Sequence, residues 1–356
     1  MNFSAVVFRN IRVSAGSVPY GQLVDALLSE GVLLDEIVQL AYDRPDLVMA
    51  TLERLIKRCD GVFIICDEVL LPVAREALSA ATRLNFADGF LLKGEKLYFA
   101  LPSGRKGCEL VQSQVIPAID ERRGGPHLSL VFKTVLAPVS KVMATIQRAE
   151  EESEGRFTFF TSEEYGVGRI EIVYPKETNK ALLDEVTRIF ATELRAYTYA
   201  MEDVTISQRL FDKLKLRRMK LSTAESFTSG RVGSAIVENS GASEIFFEGL
   251  NVYDSASKML RLGVKESTLK SKGAVSKETA FEMAEGLLKH CDVAISTTGI
   301  AGPNSDGSGA PVGLCYIGIG TKEHIHTFEY RLSGDRETIT KTAVNLALFL
   351  AYREIH

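Results

Sequence analysis

Four stretches in the last third of the chain carry residue types that could act together on an electrophilic carbon. In "AESFTSG" a serine, Ser226, follows a short apolar run and precedes Phe227, Thr228, Ser229 and Gly230. A strand that ends in small, hydroxyl-bearing residues and opens a helix leaves backbone N–H groups at the helix start, and those donors suit an oxyanion or a phosphate. Serine is also a preferred helix cap, so this segment alone reads either as a nucleophile or as a cap. In "YDSASK" Tyr253 closes an expected strand, and Lys258 falls about one and a half turns into the helix after it. A lysine whose pKa is lowered by burial or a neighbouring cation can take a proton from a serine. A tyrosine beside it can relay that proton or orient the base. A surface lysine and a half-buried tyrosine would fit the same letters.

The third stretch, "TTGIAGPNSDGSGAPVG" at residues 297–313, follows an apolar strand and contains Thr298, Gly299 and Gly302. A loop of this composition can wrap a phosphate or ribose with main-chain donors, or can be a flexible hairpin connection. The fourth, "SGDRETI", places Arg336 at the start of the final helix, where a cation beside N–H donors favours a phosphate. Pairing of Arg336 with Asp335 or Glu337 at the surface is the alternative.

These residues need a scaffold, and the chain supplies alternating periodicities. "YGQLVDALLSEGV", "DLVMATLERLIKRC" and "PVAREALSAATRL" repeat apolar residues at helical spacing, while "GVFIIC" and "KLYFALPSG" read as buried strands. That order favours an α/β layer with a parallel sheet. "DERRGGPH", residues 120–127, is a break. Beyond it strand, helix, two strands and helix make a small α+β unit, and "YTYAMEDVTISQRLFDKLKLRRMK" reads as a helical bridge. Its basic run reads as a solvated helix face. From Leu221 onward the pattern is α/β again, with strands at LSTAES, EGLNVY, DVAISTTG, GLCYIGIGT and HIHTFEYRL and a last helix beginning near GDRETI.

A chain of 356 residues exceeds one ordinary core, and two or three domains are expected. With 46% hydrophobic and 25% charged residues it reads as globular. No apolar run is long enough to span a bilayer, and MNFSAVVFRN has no export signal, so no membrane partner and a cytoplasmic location are expected. A formal net charge of −4 gives no overall nucleic-acid signal. "GRKG", Gly104 to Gly107, is a literal GxxG, yet it lies ahead of the α+β unit, and no nucleic-acid partner is expected. Cys59, Cys66, Cys108, Cys291 and Cys315 are scattered without a CxxC pair, so reduced thiols are expected rather than a zinc site. His324 and His326, two apart in an alternating run, read as one face of a strand rather than a metal pair.

The last third resembles the C-terminal domain of the CinA family (competence/damage-inducible proteins), which deamidates nicotinamide mononucleotide. The family pattern runs T-A-E-S-C-T-G-G, Y-S-N-x-x-K, G-A-V-S-x-E, T-G-I-A-G-P and a late P-V-G. Here "TAESFTSG", "YDSASK", "GAVSKE", "TTGIAGP" and "APVG" follow in that order, over about 135 residues. The resemblance implies Ser226 as nucleophile, Lys258 as base and Tyr253 as its assistant. It implies a substrate site at Thr228, Ser229, Gly230, Thr298, Gly299, Gly302 and Arg336, a small pyridine nucleotide as partner, and no metal or organic cofactor. A homodimer follows by family analogy. Phe227 replaces the family's Cys, Ser229 its Gly and Ser255 its Asn; the bulk of Phe227 is expected at the pocket wall.

The rest of the chain is similar to the full-length family. That implies a molybdopterin-binding-like α/β domain over 1–123, a KH-like α+β domain over 124–203 and an α/β/α CinA-type amidohydrolase domain over 204–356. The family's G-T-E-L-L motif is absent from "FRNIRVSAGSVPYG", and "ICDEVLLPVARE" replaces its T-G-G-L-G-P-T-x-D-D loop. The first domain is therefore expected to be catalytically silent. Asp67 and Glu68 remain in that region, but adjacent acids on a strand point to opposite sides. Two alternatives stand beside the amidase: a nucleotide-binding scaffold without turnover, and an ADP-ribose pyrophosphatase in the first domain.

Overall fold

The computed structural model describes residues 1–9, 20–84, 90–93, 96–123, 125–304 and 309–355. The segment around residues 10–19, where the G-T-E-L-L motif was sought, and residues 305–308 of the Gly-rich loop lie outside the described residues. Internal packing divides the chain into two units. One comprises residues 1–129, 152–158 and 172–183, the other residues 130–151, 159–171 and 184–356.

The first stretch contains β1 (Phe3–Arg9), α1 (Gly21–Leu28), β2 (Leu34–Ala41), α2 (Pro45–Arg58), β3 (Gly61–Cys66), α3 (Leu71–Thr82), β4 (Phe90–Lys93), β5 (Lys96–Pro102), α4 (Arg105–Leu110) and α5 (Ile116–Arg123). Its sheet has the order β2-β1-β3-β5-β4, parallel except for β4. β3 is buried at every position, as a central parallel strand requires. Alternate residues face two cores: Val6, Ile64 and Tyr98 pack with α2 and α3, whereas Phe63, Ile65 and Phe99 pack with α1 and α5. α2 shows why the helical reading works: Pro45 at its start, Asp46 in the first turn, Lys57 and Arg58 in the last, and Val48, Leu52 and Leu55 on the buried face.

One expectation is corrected here. Asp67 and Glu68 are not on a strand, because β3 ends at Cys66 and a 3₁₀ turn runs from Glu68 to Leu70. Asp67 accepts a 3.3 Å hydrogen bond from Ser103 Oγ, and Glu68 pairs with Lys106. Arg105 pairs with Glu109, so both basic residues of GRKG are engaged within the chain.

The central stretch contains β6 (His127–Val135), α6 (Val139–Ser153), β7 (Thr158–Glu164), β8 (Val167–Pro175), α7 (Lys180–Glu193) and β9 (Thr198–Ala200), with strands in the order β7-β8-β6-β9. Phe190 of α7 lies 5.4 Å from Phe132 and 5.8 Å from Phe159 between ring centroids. The helical bridge read from sequence is only half helical. Its start is β9, paired antiparallel with β6, and helix begins at Ile206, capped by Thr205.

The remaining elements are α8 (Ile206–Arg217), β10 (Leu221–Glu225), α9 (Arg231–Val237), β11 (Phe246–Asn251), α10 (Ser255–Leu262), α11 (Glu266–Lys272), α12 (Lys277–Leu287), β12 (Val293–Gly299), β13 (Leu314–Thr321), β14 (Ile325–Arg331) and α13 (Arg336–Glu354). The sheet order is β11-β10-β12-β13-β14; β11, β10 and β12 are parallel, and β13 and β14 antiparallel. Leu221, Ile295 and Ile317 share one core with α8, α9 and α13, while Ala224 and Ala294 share another with α10 and α12. This is a three-layer α/β/α domain. α13 is buried around most of its circumference, from Ile339 to Ala351. No described helix is long and apolar enough to cross a membrane, and all five cysteines are free thiols.

Candidate active site

β10, β11 and β12 are parallel, so their carboxyl ends lie at one edge of the sheet, and the candidate residues follow those ends. This is where open α/β sheets place their ligands. Ser226 comes directly after β10, and its amide donates to Thr297 O of β12 at 3.0 Å. The chain then turns: Ser229 N donates to Ser226 O at 3.2 Å, and Arg231 N to Thr228 O at 3.1 Å. Ser229 and Gly230 both adopt left-handed backbone, with φ of 51° and 82°.

The start of α9 differs from the sequence expectation of free donors. Glu225, buried at the end of β10, accepts from Val232 N at 3.1 Å, Gly233 N at 2.9 Å and Thr228 Oγ1 at 2.7 Å. The first helical amides are thus taken by a carboxylate from the same chain, which also complements the positive end of the helix. Since the Thr228 hydroxyl donates to Glu225, its 2.6 Å contact with Thr297 Oγ1 must receive the Thr297 proton. Thr228 therefore fastens the turn to β12. The amides of Phe227 and Thr228 are left without a partner among the described residues. Phe227 is seated in the core with Val232, Ile236 and Ile339 rather than at a pocket wall, because the turn directs residue 227 inward.

Lys258 lies one turn, not one and a half, into α10, whose cap Asp254 accepts from Ala256 N at 2.7 Å. Its side chain is only 1% exposed. Nζ reaches Ser226 Oγ at 3.2 Å, Val252 O at 2.7 Å and Tyr253 O at 3.0 Å. Burial disfavours the ammonium and brings the Lys258 pKa down to about 8, against a smaller opposing pull from Asp254. Tyr253 meets Lys258 through its carbonyl, while the residue itself is 67% exposed.

Thr298, Gly299 and Gly302, at the start of the Gly-rich stretch, are each held by the chain around them. Thr298 is buried and its hydroxyl donates to Ala274 O at 2.6 Å. Gly299 lies against β13, where an added Cβ would come within 2.6 Å of Cys315 Cβ. Gly302 has φ of 82°, and its carbonyl accepts from Arg336 Nη1 at 2.6 Å. Arg336 thus bonds to the loop. Its neighbours are otherwise engaged, Asp335 in capping Thr338 N and Glu337 in pairing with Lys341.

The geometry joins Ser226, Lys258 and the Tyr253 backbone directly. Thr228 is joined to Ser226's strand through Glu225, and Arg336 to Gly302. Among the described residues, no hydrogen bond or ion pair links Arg336 to Ser226 or Lys258. Glu225 and Thr297 were not singled out in the sequence. The available signal was an acid closing an apolar strand, since a buried carboxylate demands partners. Three side chains of types able to ligate a metal converge elsewhere among the described residues, at His324, His326 and Glu354.

The CinA C-terminal domain profile matches residues 203–355. A Caldicellulosiruptor saccharolyticus protein named for competence-damage induction is 42% identical over 171 residues, which are 48% of this chain and 42% of that one. A similarly named Caldanaerobacter subterraneus protein is 34% identical over 278 residues, 76% of this chain and 66% of the relative. The crystal structure of competence/damage inducible protein CihA from Agrobacterium tumefaciens is 32% identical, covers 42% of this chain and 94% of its own, and gives a TM-score of 0.40. The matches to the first curated relatives span less than half of those relatives' length. The profile falls on the domain that contains the Ser226–Lys258 pair, and by that profile and the sequence relatives the chain belongs to the CinA family.

Proposed function

We propose that the chain is a nicotinamide-nucleotide amidase that converts nicotinamide mononucleotide to nicotinate mononucleotide and ammonia, with Ser226 as nucleophile and Lys258 as base. The observation that carries this reading is the set of three contacts at Lys258 Nζ. As an ammonium it has three protons for three acceptors. As a neutral amine it keeps two protons for Val252 O and Tyr253 O, and its lone pair is left for the Ser226 hydroxyl. A pKa of about 8 leaves part of the population neutral near pH 7.5.

In the proposed reaction Lys258 takes the hydroxyl proton as Ser226 Oγ attacks the carboxamide carbon. The unpartnered amides of Phe227 and Thr228 are the donors available to the oxyanion. The tetrahedral intermediate collapses, the C–N bond breaks, and the Lys258 proton leaves on ammonia. Water, deprotonated by Lys258, then cleaves the acyl-serine to the carboxylate and restores the hydroxyl. Ser229 and Gly230 shape the turn that presents Ser226. Thr298, Gly299, Gly302 and Arg336 form the side proposed to hold the nucleotide phosphate, and the exposed Tyr253 assists through its carbonyl contact with Lys258. No metal or cofactor takes part. The preference for a pyridine nucleotide rests on the five family motifs.

The same resemblance supports the division at 1–123, 124–203 and 204–356, a catalytically silent first domain and a homodimer as proposals. The test of the amidase is ammonia release by the full chain from nicotinamide mononucleotide. Ser226→Ala should lower it by at least about 10³-fold. Binding of the nucleotide without ammonia release by either protein would make the chain a binding module. Metal-dependent phosphate release from ADP-ribose would return activity to the first domain.

A further inference from the structure

β14 is the edge strand of the C-terminal sheet, and α13 packs against its neighbour β13. The hairpin between β13 and β14 is closed by Thr321 N donating to His324 O at 2.8 Å, while His324 N donates to Thr321 Oγ1 at 3.3 Å. This fixes the His324 backbone. The strand period puts His326 and Phe328 on one face, His324 just before the strand sets its ring beside His326, and Phe328 packs against the core that contains α13. The last turn of α13 brings Glu354 to the same place. Its Oε2 lies 3.0 Å from His324 Nε2 and 2.6 Å from His326 Nδ1, and the imidazole centroids are 4.3 Å apart. The three ligating atoms all lie within 4.8 Å of one another. The alternating run places the two histidines on one face, and the third member lies 28 residues beyond His326.

We propose that His324, His326 and Glu354 bind a divalent late first-row transition ion of the zinc class. Two imidazoles and one carboxylate are the donor types such ions take, at about 2.0–2.2 Å, with water completing a tetrahedron. The three atoms already converge, and an ion among them replaces the two hydrogen bonds to Glu354 and moves its Oε2 away from both imidazoles. His324 and Glu354 are partly buried, with side chains 29% and 19% exposed, while His326 at 56% leaves an entry path. Glu354 stands 18 residues along α13 from Arg336, a rise of about 27 Å. The ion is thus remote from the loop that Arg336 holds, and its effect is to clip the edge strand to the end of the last helix. An ion bound only to the folded chain raises stability by mass action.

The test is titration of the metal-free full chain with zinc chloride, read by calorimetry and by melting temperature. One zinc per chain should bind and raise the melting temperature, while magnesium should do neither. His326→Gln and Glu354→Gln should each weaken binding by about 10-fold or more, with circular dichroism confirming that the variants are folded. His326 is the primary site to vary because its exposed side chain is dispensable for packing. Unchanged zinc affinity in both variants, loss of binding on Cys108→Ser instead, or no stoichiometric binding at all would overturn the proposal.

Discussion

Lys258 Nζ stands 3.2 Å from Ser226 Oγ, and its other two contacts are the carbonyls of Val252 and Tyr253. Two fixed carbonyls orient the amine so that the position facing the serine carries either a proton or a lone pair, depending on pH.

That switch gives a pH profile. The Lys258 pKa of about 8 is lowered by burial from its ordinary 10.5. Amidase activity should therefore rise about tenfold per pH unit below 8 and level off above it. Lys258→Met should abolish turnover. A residual rate in that variant with the same rising limb would remove the lysine from the chemistry.

The same shift has a stability consequence of definite sign. Between pH 8 and 10.5 the unfolded chain binds the proton more readily than the folded one, so stability rises with pH across that window. Below it the folded protein carries the full cost of a buried ammonium, about 3 kcal/mol. The difference in unfolding free energy between Lys258→Met and wild type should shift in favour of wild type as pH rises from 7.5 to 9.5. Parallel curves would contradict the depressed pKa.

Glu225 positions the nucleophile rather than touching substrate. Glu225→Gln places an amide N–H₂ against donors that now meet a carboxylate. A loss of about 2–3 kcal/mol in urea unfolding is expected, together with a fall in kcat through displacement of the Ser226 turn. Wild-type values for both would show that the carboxylate is dispensable there.

Ser229 occupies left-handed backbone at φ of 51°, a conformation that costs a residue with Cβ about 1–2 kcal/mol. Ser229→Gly restores the family residue and should stabilise the chain by about 0.5–1 kcal/mol, after allowing for the added freedom of glycine in the unfolded state. Chemical denaturation reads this directly, and a destabilised variant would mean that the weak 3.4 Å contact from Ser229 Oγ to Ser226 O outweighs the strain.

Much of this architecture was legible before any coordinates. α2 and α12 show their apolar stripe and capping residues in the letters alone, and β3 and β12 read as strands because both faces are covered. The serine and the lysine were legible through ordered motifs, not through spacing, since 32 residues separate them. β9 was missed because three residues carry no period of their own and exist as a strand only through pairing with β6. Glu225 was missed because a charged residue in a buried strand looks like a defect until its donors are known. The convergence of Glu354 with the two histidines depends on how α13 crosses the sheet, which no local pattern encodes.

The pairing of β10 with β11 sets Glu225 opposite Asn251; the serine comes directly after Glu225, and the lysine lies one helical turn into the α10 that follows β11. Their separation is therefore a property of strand alignment before it is one of side-chain fit. Replacing core residues of similar volume would leave the two groups in place, whereas inserting one residue into β11 would slide the lysine by about 3.3 Å and reverse the faces of the residues behind it. Within this site, chain-length changes near the sheet edge are a harsher perturbation than most changes of residue type.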